Sequence, residues 1–367
     1  MLLWRQDFVK LQRYNFSPLW LLICVPFAMA QAVQVDEQLQ VSREILDVRV
    51  LDVGGNPILG LGTEDFQLKI EGKKVPIDTA DWIDPTRQDL SKLKVAPGQK
   101  FEQTDEAFWA SNQLSREAEA EGRLITLFVQ TELTGSRMSS YLRMPRYIKV
   151  FFDQLDEKDY VAVYGFGSHL TLYCDFTQDR EIAQQAVQLA VRRSDEVAFM
   201  AAEPPSLGPY YNESEALDIA KPEDALAHIG ENLAAFPGNK TLIYLGYGFG
   251  RFSGGNVYME PEYKRAVLAL NSARTNVFSV DITRADYHPL EQGMRRIAED
   301  TGGTYYSARV FPENAVRRVA NAISGYYRVS FQFPEDMEDN PKFRLQLKNG
   351  KGSLFVRNPY NGAPAIN

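Results

Sequence analysis

Between residues 123 and 325 the chain alternates two hydrophobic patterns. Short uninterrupted apolar runs, "LITLFVQ" (124–130), "DYVAVYGFG" (159–167), "KTLIYLGYG" (240–248) and "TNVFSVDIT" (275–283), are separated by longer stretches of helical spacing. "DREIAQQAVQLAVRR" (179–193) opens with an Asp cap and places Ile182, Ala186, Val187, Leu189 and Ala190 on one stripe. "SSYLRMPRYIKVFFDQL" predicts a helix starting near Ser139, and "PEDALAHIGENLAAF", "YKRAVLALNSAR", "LEQGMRRIAED" and "NAVRRVANAISG" predict four more. Apolar strands joined by helices mean a mostly parallel sheet covered on both faces. "LTLYCDFT" (170–177) reads as an edge strand beside it.

The chain ends carry a different, two-residue period. "EILDVRVLD" alternates imperfectly, and "DFQLKIEGKKVPI" sets Phe66, Leu68 and Ile70 against polar neighbours. "YYRVSFQF", "KFRLQLKN" and "SLFVRN" repeat that pattern near the C-terminus. Neither set of strands can bury both faces of a sheet alone, so the two ends are expected to complete one β-sandwich. The predicted fold class is therefore α/β: a doubly wound, mostly parallel sheet inserted in a small β-sandwich. The expected boundaries are 31–90 for the first sandwich strands, 91–121 for a linker with a short helix, 122–325 for the α/β domain, and 326–367 for the closing strands.

Residues 1–30 stand apart. Arg5, Lys10 and Arg13 precede an apolar stretch from Leu19 to Phe27, and Ala28-Met29-Ala30 has the small-x-small pattern of a signal peptidase site. The stretch is shorter than the roughly 20 residues a membrane span needs. The expectation is a cleaved signal peptide and a periplasmic, cell-envelope or extracellular protein with no membrane span in the mature chain. That chain would keep one cysteine, Cys174, read as a buried apolar residue rather than a thiolate nucleophile.

The whole chain has 367 residues, is 44% hydrophobic and 24% charged, and is thus built to fold rather than to stay disordered. A net charge of −8 without a basic face argues against a nucleic-acid partner. His169, His228 and His288 are not spaced as zinc ligands, and none stands in an evident acid–base group. Ser168 and His169 are adjacent, which in an extended segment turns them to opposite faces. "GYGFGRFSGG" (246–255) follows a strand but lacks the spacing of a phosphate loop, and reads as a flexible loop. Its aromatics Tyr247, Phe249, Phe252 and Tyr258, with Arg251, are the composition of a protein-contact surface. Pro204, Pro205, Tyr210 and Tyr211 are expected on the same edge.

"ILDVRVLDVGGNPILGLGTEDFQLKIEGK" and "RRIAEDTGGTYYSA" followed by "NAVRRVANAISGYYRVSFQF", with the order of strands between them, resemble the von Willebrand factor A-type (vWA) domain in its bacterial secreted subgroup. The resemblance implies a metal-ion-dependent adhesion site: Asp-x-Ser-x-Ser after the first strand, a Thr and a second Asp from later loops, and a Mg²⁺ whose last ligand is a partner carboxylate. Here Gln130 stands at the first Asp. Glu132 and Thr134, or Thr134 and Ser136 in a shifted register, stand at the serines, and Gly246 or Tyr247 at the second Asp. Mg²⁺ favours hard anionic oxygens, so these replacements predict a degenerate site without metal, and no cofactor is expected.

The functional expectation is an exported, non-enzymatic binding or scaffold protein for a protein partner. Its candidate binding residues are Gln130, Glu132, Thr134, Ser136, Tyr247 and Arg251. Two alternatives stay open: an enzyme or cofactor-binding protein on the α/β sheet, and a rearranged Mg²⁺ site in which Asp281 and Ser139 join Glu132, Thr134 and Ser136.

Overall fold

The computed structural model describes residues 43–84, 122–131, 142–284, 287–310, 312–333, 341–348, 350 and 352–357. The expected signal peptide, the linker helix and the positions of Glu132, Thr134 and Ser136 lie outside these residues.

Six strands form the central sheet: β5 (Leu124–Gln130), β6 (Tyr160–Phe166), β7 (Leu170–Thr177), β8 (Lys240–Gly246), β11 (Thr275–Asp281) and β12 (Tyr305–Ser307). Their order is β12-β11-β8-β5-β6-β7, parallel throughout except for the edge strand β7, which runs antiparallel to β6. β5 and β8 are buried at every residue, as expected of strands covered on both faces. Helices α1 (Met144–Phe152), α2 (Arg180–Arg192) and α7 (Pro312–Ala322) cover one face, around Leu127, Ile148, Phe151, Val187 and Val319. Helices α4 (Pro222–Leu233), α5 (Glu262–Ser272) and α6 (Glu291–Asp300) cover the other, around Phe128, Tyr164, Leu226, Val267 and Ile297. The sheet is doubly wound. The order of strand addition reverses between β5 and β8, and in such sheets the crevice at those strand ends is where ligands bind.

Local chemistry sets the helix limits. The Asp179 carboxylate accepts the amides of Glu181 and Ile182 at 2.8 and 3.1 Å, capping α2. α1 starts at Met144, five residues later than the sequence pattern predicts, with Arg143 at its N-cap and no side-chain cap. Pro145 sets this start, because proline fits the first turn, where its missing N–H is not needed. The remaining helix, α3 (Glu213–Asp218), is a short turn capped by Asn212 in the long 194–221 connection.

The sandwich joins both chain ends. β1 (Arg43–Leu51) lies between β13 (Tyr326–Gln332) and β15 (Ser353–Val356), with β4 (Thr79–Ile83) beyond β13. The second layer is β14 (Phe343–Leu347), β2 (Phe66–Ile70) and β3 (Lys73–Val75). Leu46, Val48 and Val50 meet Phe66, Leu68, Ile70, Val329 and Phe331 in its core.

The imperfect alternation of β1 has a physical reason. Its other face, with Asp47 and Arg49, is buried against the α/β unit rather than open to solvent. Asp47 pairs with Arg274 at 2.7 Å and Arg328 at 3.4 Å and accepts from Asn239 at 3.2 Å. The Arg49 guanidinium lies over the rings of Phe278 and Tyr326. Asn239 and Arg274 precede β8 and β11, so these contacts hold the sandwich to the N-terminal end of the sheet.

Candidate functional site

Gln130 ends β5 and is 1% exposed. Its amide makes three of the four hydrogen bonds open to it. Nε2 donates to the Gly248 carbonyl at 3.0 Å, while Oε1 accepts the Tyr244 hydroxyl at 2.6 Å and the Tyr247 amide at 3.1 Å. The side chain thus ties β5 to β8 and to the turn after it, across the crevice where the strand order reverses. On the other side of β5, Arg193 donates to Thr131 through Nε to Oγ1 at 2.9 Å and through a terminal nitrogen to the carbonyl at 2.8 Å.

The 246–258 segment carries regular structure where the sequence pattern reads as a loop. It forms a hairpin, β9 (Arg251–Ser253) and β10 (Asn256–Tyr258), turned by Gly254 and Gly255, both at positive φ. Gly248, at φ 101°, lets the turn pass the Leu290 carbonyl, where a side chain would collide. These glycines serve close packing. Phe249 is 3% exposed and stacks on Tyr244 with centroids 6.0 Å apart, so it belongs to the core and not to the expected contact surface. Phe252, Tyr258 and Arg251 are exposed, with Arg251 Nε 3.4 Å from Glu260.

Tyr210 and Tyr211 do not join that surface. Tyr210 packs edge-on against Phe236, before β8, with centroids 5.8 Å apart. Tyr211 rests on the β7 edge, its hydroxyl donating to the Leu170 carbonyl at 3.3 Å, three strands from β8. The loop that carries them is held by a buried acid. Asp175 accepts from Ser206 Oγ at 2.6 Å and from the Leu207 and Gly208 amides at 2.7 and 3.3 Å.

Two contacts escape the sequence pattern. Ser168 and His169 occupy a bend between β6 and β7, not extended backbone, and Ser168 Oγ lies 3.0 Å from His169 Nδ1. No carboxylate pairs with that imidazole among the described residues, and the contact is exposed.

The second is a buried acid–imidazole group. Asp281 ends β11 directly beside Gly246, and the Ile282 amide donates to the Gly246 carbonyl at 2.9 Å. Asp281 Oδ2 takes hydrogen bonds from His288 Nε2 and from the Tyr305 hydroxyl, both at 2.9 Å, and Oδ1 accepts the Thr283 amide at 2.9 Å. Glu291 Oε2 lies 3.4 Å from the same Tyr305 oxygen, while Arg295 holds Oε1 at 3.1 Å and covers the Tyr305 ring at 3.9 Å. Burial pushes the Asp281 carboxyl up, but His288 and Thr283 outweigh it and leave it below its ordinary value. His288, read from sequence as standing outside any acid–base group, therefore has an acid partner. The available signal was an Asp closing an apolar strand, followed by a His and a Glu one helical turn apart.

No family model matches the chain, and no curated protein matches it. Solved structures similar to it include vWA domains. The PilB minor pilin of Streptococcus sanguinis is 12% identical with a TM-score of 0.34 over 55% of this chain and 61% of the pilin. A von Willebrand factor type A protein of Catenulispora acidiphila is 13% identical with a TM-score of 0.38 over 64% of this chain and 65% of its own. BatB of Bacteroides thetaiotaomicron is 14% identical with a TM-score of 0.35 over 55% and 98%. The chain thus spans less than two thirds of the first two. Function has to be read from the site.

Proposed function

We propose that this protein is an exported, non-enzymatic binding or scaffold protein that engages a protein partner through the loops at the C-terminal end of its sheet, without a metal ion. The engaged amide of Gln130 carries this reading. A Mg²⁺ at this crevice needs anionic oxygens directed into it. Among the described residues, the head of β5 offers a neutral amide whose oxygen already accepts two hydrogen bonds, and the head of β8 offers a glycine. The neighbouring Asp281 carboxylate, at the head of β11, is turned to His288, Tyr305 and Thr283, so Gln130 and Gly246 do not fit Mg²⁺. Beside them stands the β9–β10 hairpin, with exposed Phe252, Tyr258 and Arg251, residue types favoured at protein interfaces. Export is supported by the leader pattern of residues 1–30, and among the described residues no helix is long and apolar enough to cross a membrane.

The test is capture of cell-envelope proteins by the immobilised full chain in EDTA, followed by direct binding of each purified candidate. A partner should bind without divalent ions and lose at least tenfold in affinity to an Arg251→Glu, Phe252→Ser variant. Binding that requires Mg²⁺, or substrate turnover abolished by one substitution, would sink the reading.

A further inference from the structure

We propose that Asp281, His288 and Glu291 form a site for one divalent transition cation of the zinc or manganese type, which ties His288 and the first turn of α6 to the end of β11. This site borders the Gln130 crevice, since Asp281 lies beside Gly246, but its ligands are other residues and it does not depend on the function proposed above.

The three side chains offer one ligand atom each, and these atoms all lie within 4.8 Å of one another. Metal–oxygen and metal–nitrogen bonds of about 2.1 Å set ligands at right angles about 3 Å apart. His288 Nε2 and Asp281 Oδ2 stand at 2.9 Å, so binding needs little rearrangement of that pair. Two carboxylates with one imidazole, and no thiolate, suit zinc or manganese, whereas Mg²⁺ and Ca²⁺ favour oxygen alone.

The surrounding contacts hold the ligands as metal sites require. Arg295 takes Glu291 Oε1 and leaves Oε2 directed toward Tyr305 and the cluster. Tyr305 fixes Asp281, and the Thr283 amide fixes its other oxygen. A simple Asp–His hydrogen bond needs no second carboxylate placed in this way.

A further oxygen stands beside the three ligands. Thr283 is 7% exposed, and its hydroxyl is turned to the Asp281 carboxylate, the oxygen-rich side of the cluster. The His288 side chain keeps 12% of its surface exposed, which gives an ion a way in.

The tag-free full chain, stripped with chelator, is titrated by calorimetry with Zn²⁺, Mn²⁺ and, as controls, Mg²⁺ and Ca²⁺. One saturable site for Zn²⁺ or Mn²⁺ is expected, with a higher melting temperature when it is filled. His288→Gln and Glu291→Gln should each weaken it at least tenfold while melting close to the parent without metal. Co²⁺ should give a visible absorption band that His288→Gln removes. No saturable binding of either ion, or unchanged affinity in both variants, overturns the proposal. A Mg²⁺ site lost in Glu132→Ala would instead count against the metal-free reading of the crevice, so the two failures are distinguishable.

Discussion

The side-chain oxygen of Gln130 lies 2.5 Å from the place where a Cβ on Gly246 would stand. The two residues are complementary across the crevice: one fills it and the other leaves it room. The Tyr244 ring is as close to the same point, so no side chain fits at 246 without movement. Gly246→Ala should cost about 1–3 kcal/mol, the usual penalty of overpacking. In a Gln130→Ala background the cost should fall by more than about 0.5 kcal/mol, the limit within which independent sites add. Urea unfolding of the four proteins in this cycle measures it, and additive costs would mean that the two positions are uncoupled.

Asp47 joins the sandwich to the α/β unit and gives acid stability a definite sign. Burial pushes its carboxyl up, but Arg274, Arg328 and Arg357 outweigh that and hold it below its ordinary 3.8. Its contribution is present above the unfolded value and is lost as pH falls toward the folded one. Asp47→Asn should cost about 3 kcal/mol at pH 7, because it leaves Arg49 buried beside a neutral group. It should also flatten the loss of stability below about pH 5. Urea midpoints at pH 3 to 7 test both, and parallel curves for the two proteins would refute the assignment.

Asp175 holds the 206–208 turn by one hydroxyl and two amides. Asp175→Ala strands those donors and should cost about 2–4 kcal/mol, with new proteolytic cleavage between 200 and 210. Limited proteolysis followed by mass spectrometry locates the cut. An unchanged pattern would show that the loop is held by other contacts.

Cys174 is fully buried, and burial with nearby Asp175 and Asp179 pushes its thiol up to about 12. Alkylating reagents should leave it unmodified in the folded protein at pH 8 and label it within minutes in denaturant. Peptide mapping checks this, and rapid labelling of the native chain would contradict the buried placement.

Much of the fold is legible in the chain because burial writes a period. β5, β8 and β11 read as apolar runs since both their faces are covered, and β2 alternates since its residues are buried in turn. Where a second domain replaces solvent, the same code blurs: β1 alternates imperfectly because Asp47 and Arg49, on its other face, are buried in the interface. The α1 start shows a different limit, since the hydroxyls near Ser139 suggest a cap while Pro145 sets the first turn. The site is harder still. Parallel strands bring Asp281, Tyr305 and Glu291 together across gaps of chain that no local pattern records. The hairpin after β8 was missed because its glycines resemble a loop, although Gly254-Gly255 is also the signature of a tight turn.

The pairing of Arg43 with Gln332 in the β1–β13 ladder sets a schedule for synthesis. At about 5–20 residues per second, β1 leaves the ribosome roughly 15–60 s before its partner strand exists. The residues of β5 to β12 are all made within that interval, and they contain every strand of the central sheet. That sheet can therefore assemble, with the Gln130 crevice and the Asp281 cluster complete, while β1 still waits. Shielding of β1 during that delay, rather than the closing of the site, is the step at which a translating chain is most exposed to wrong pairing.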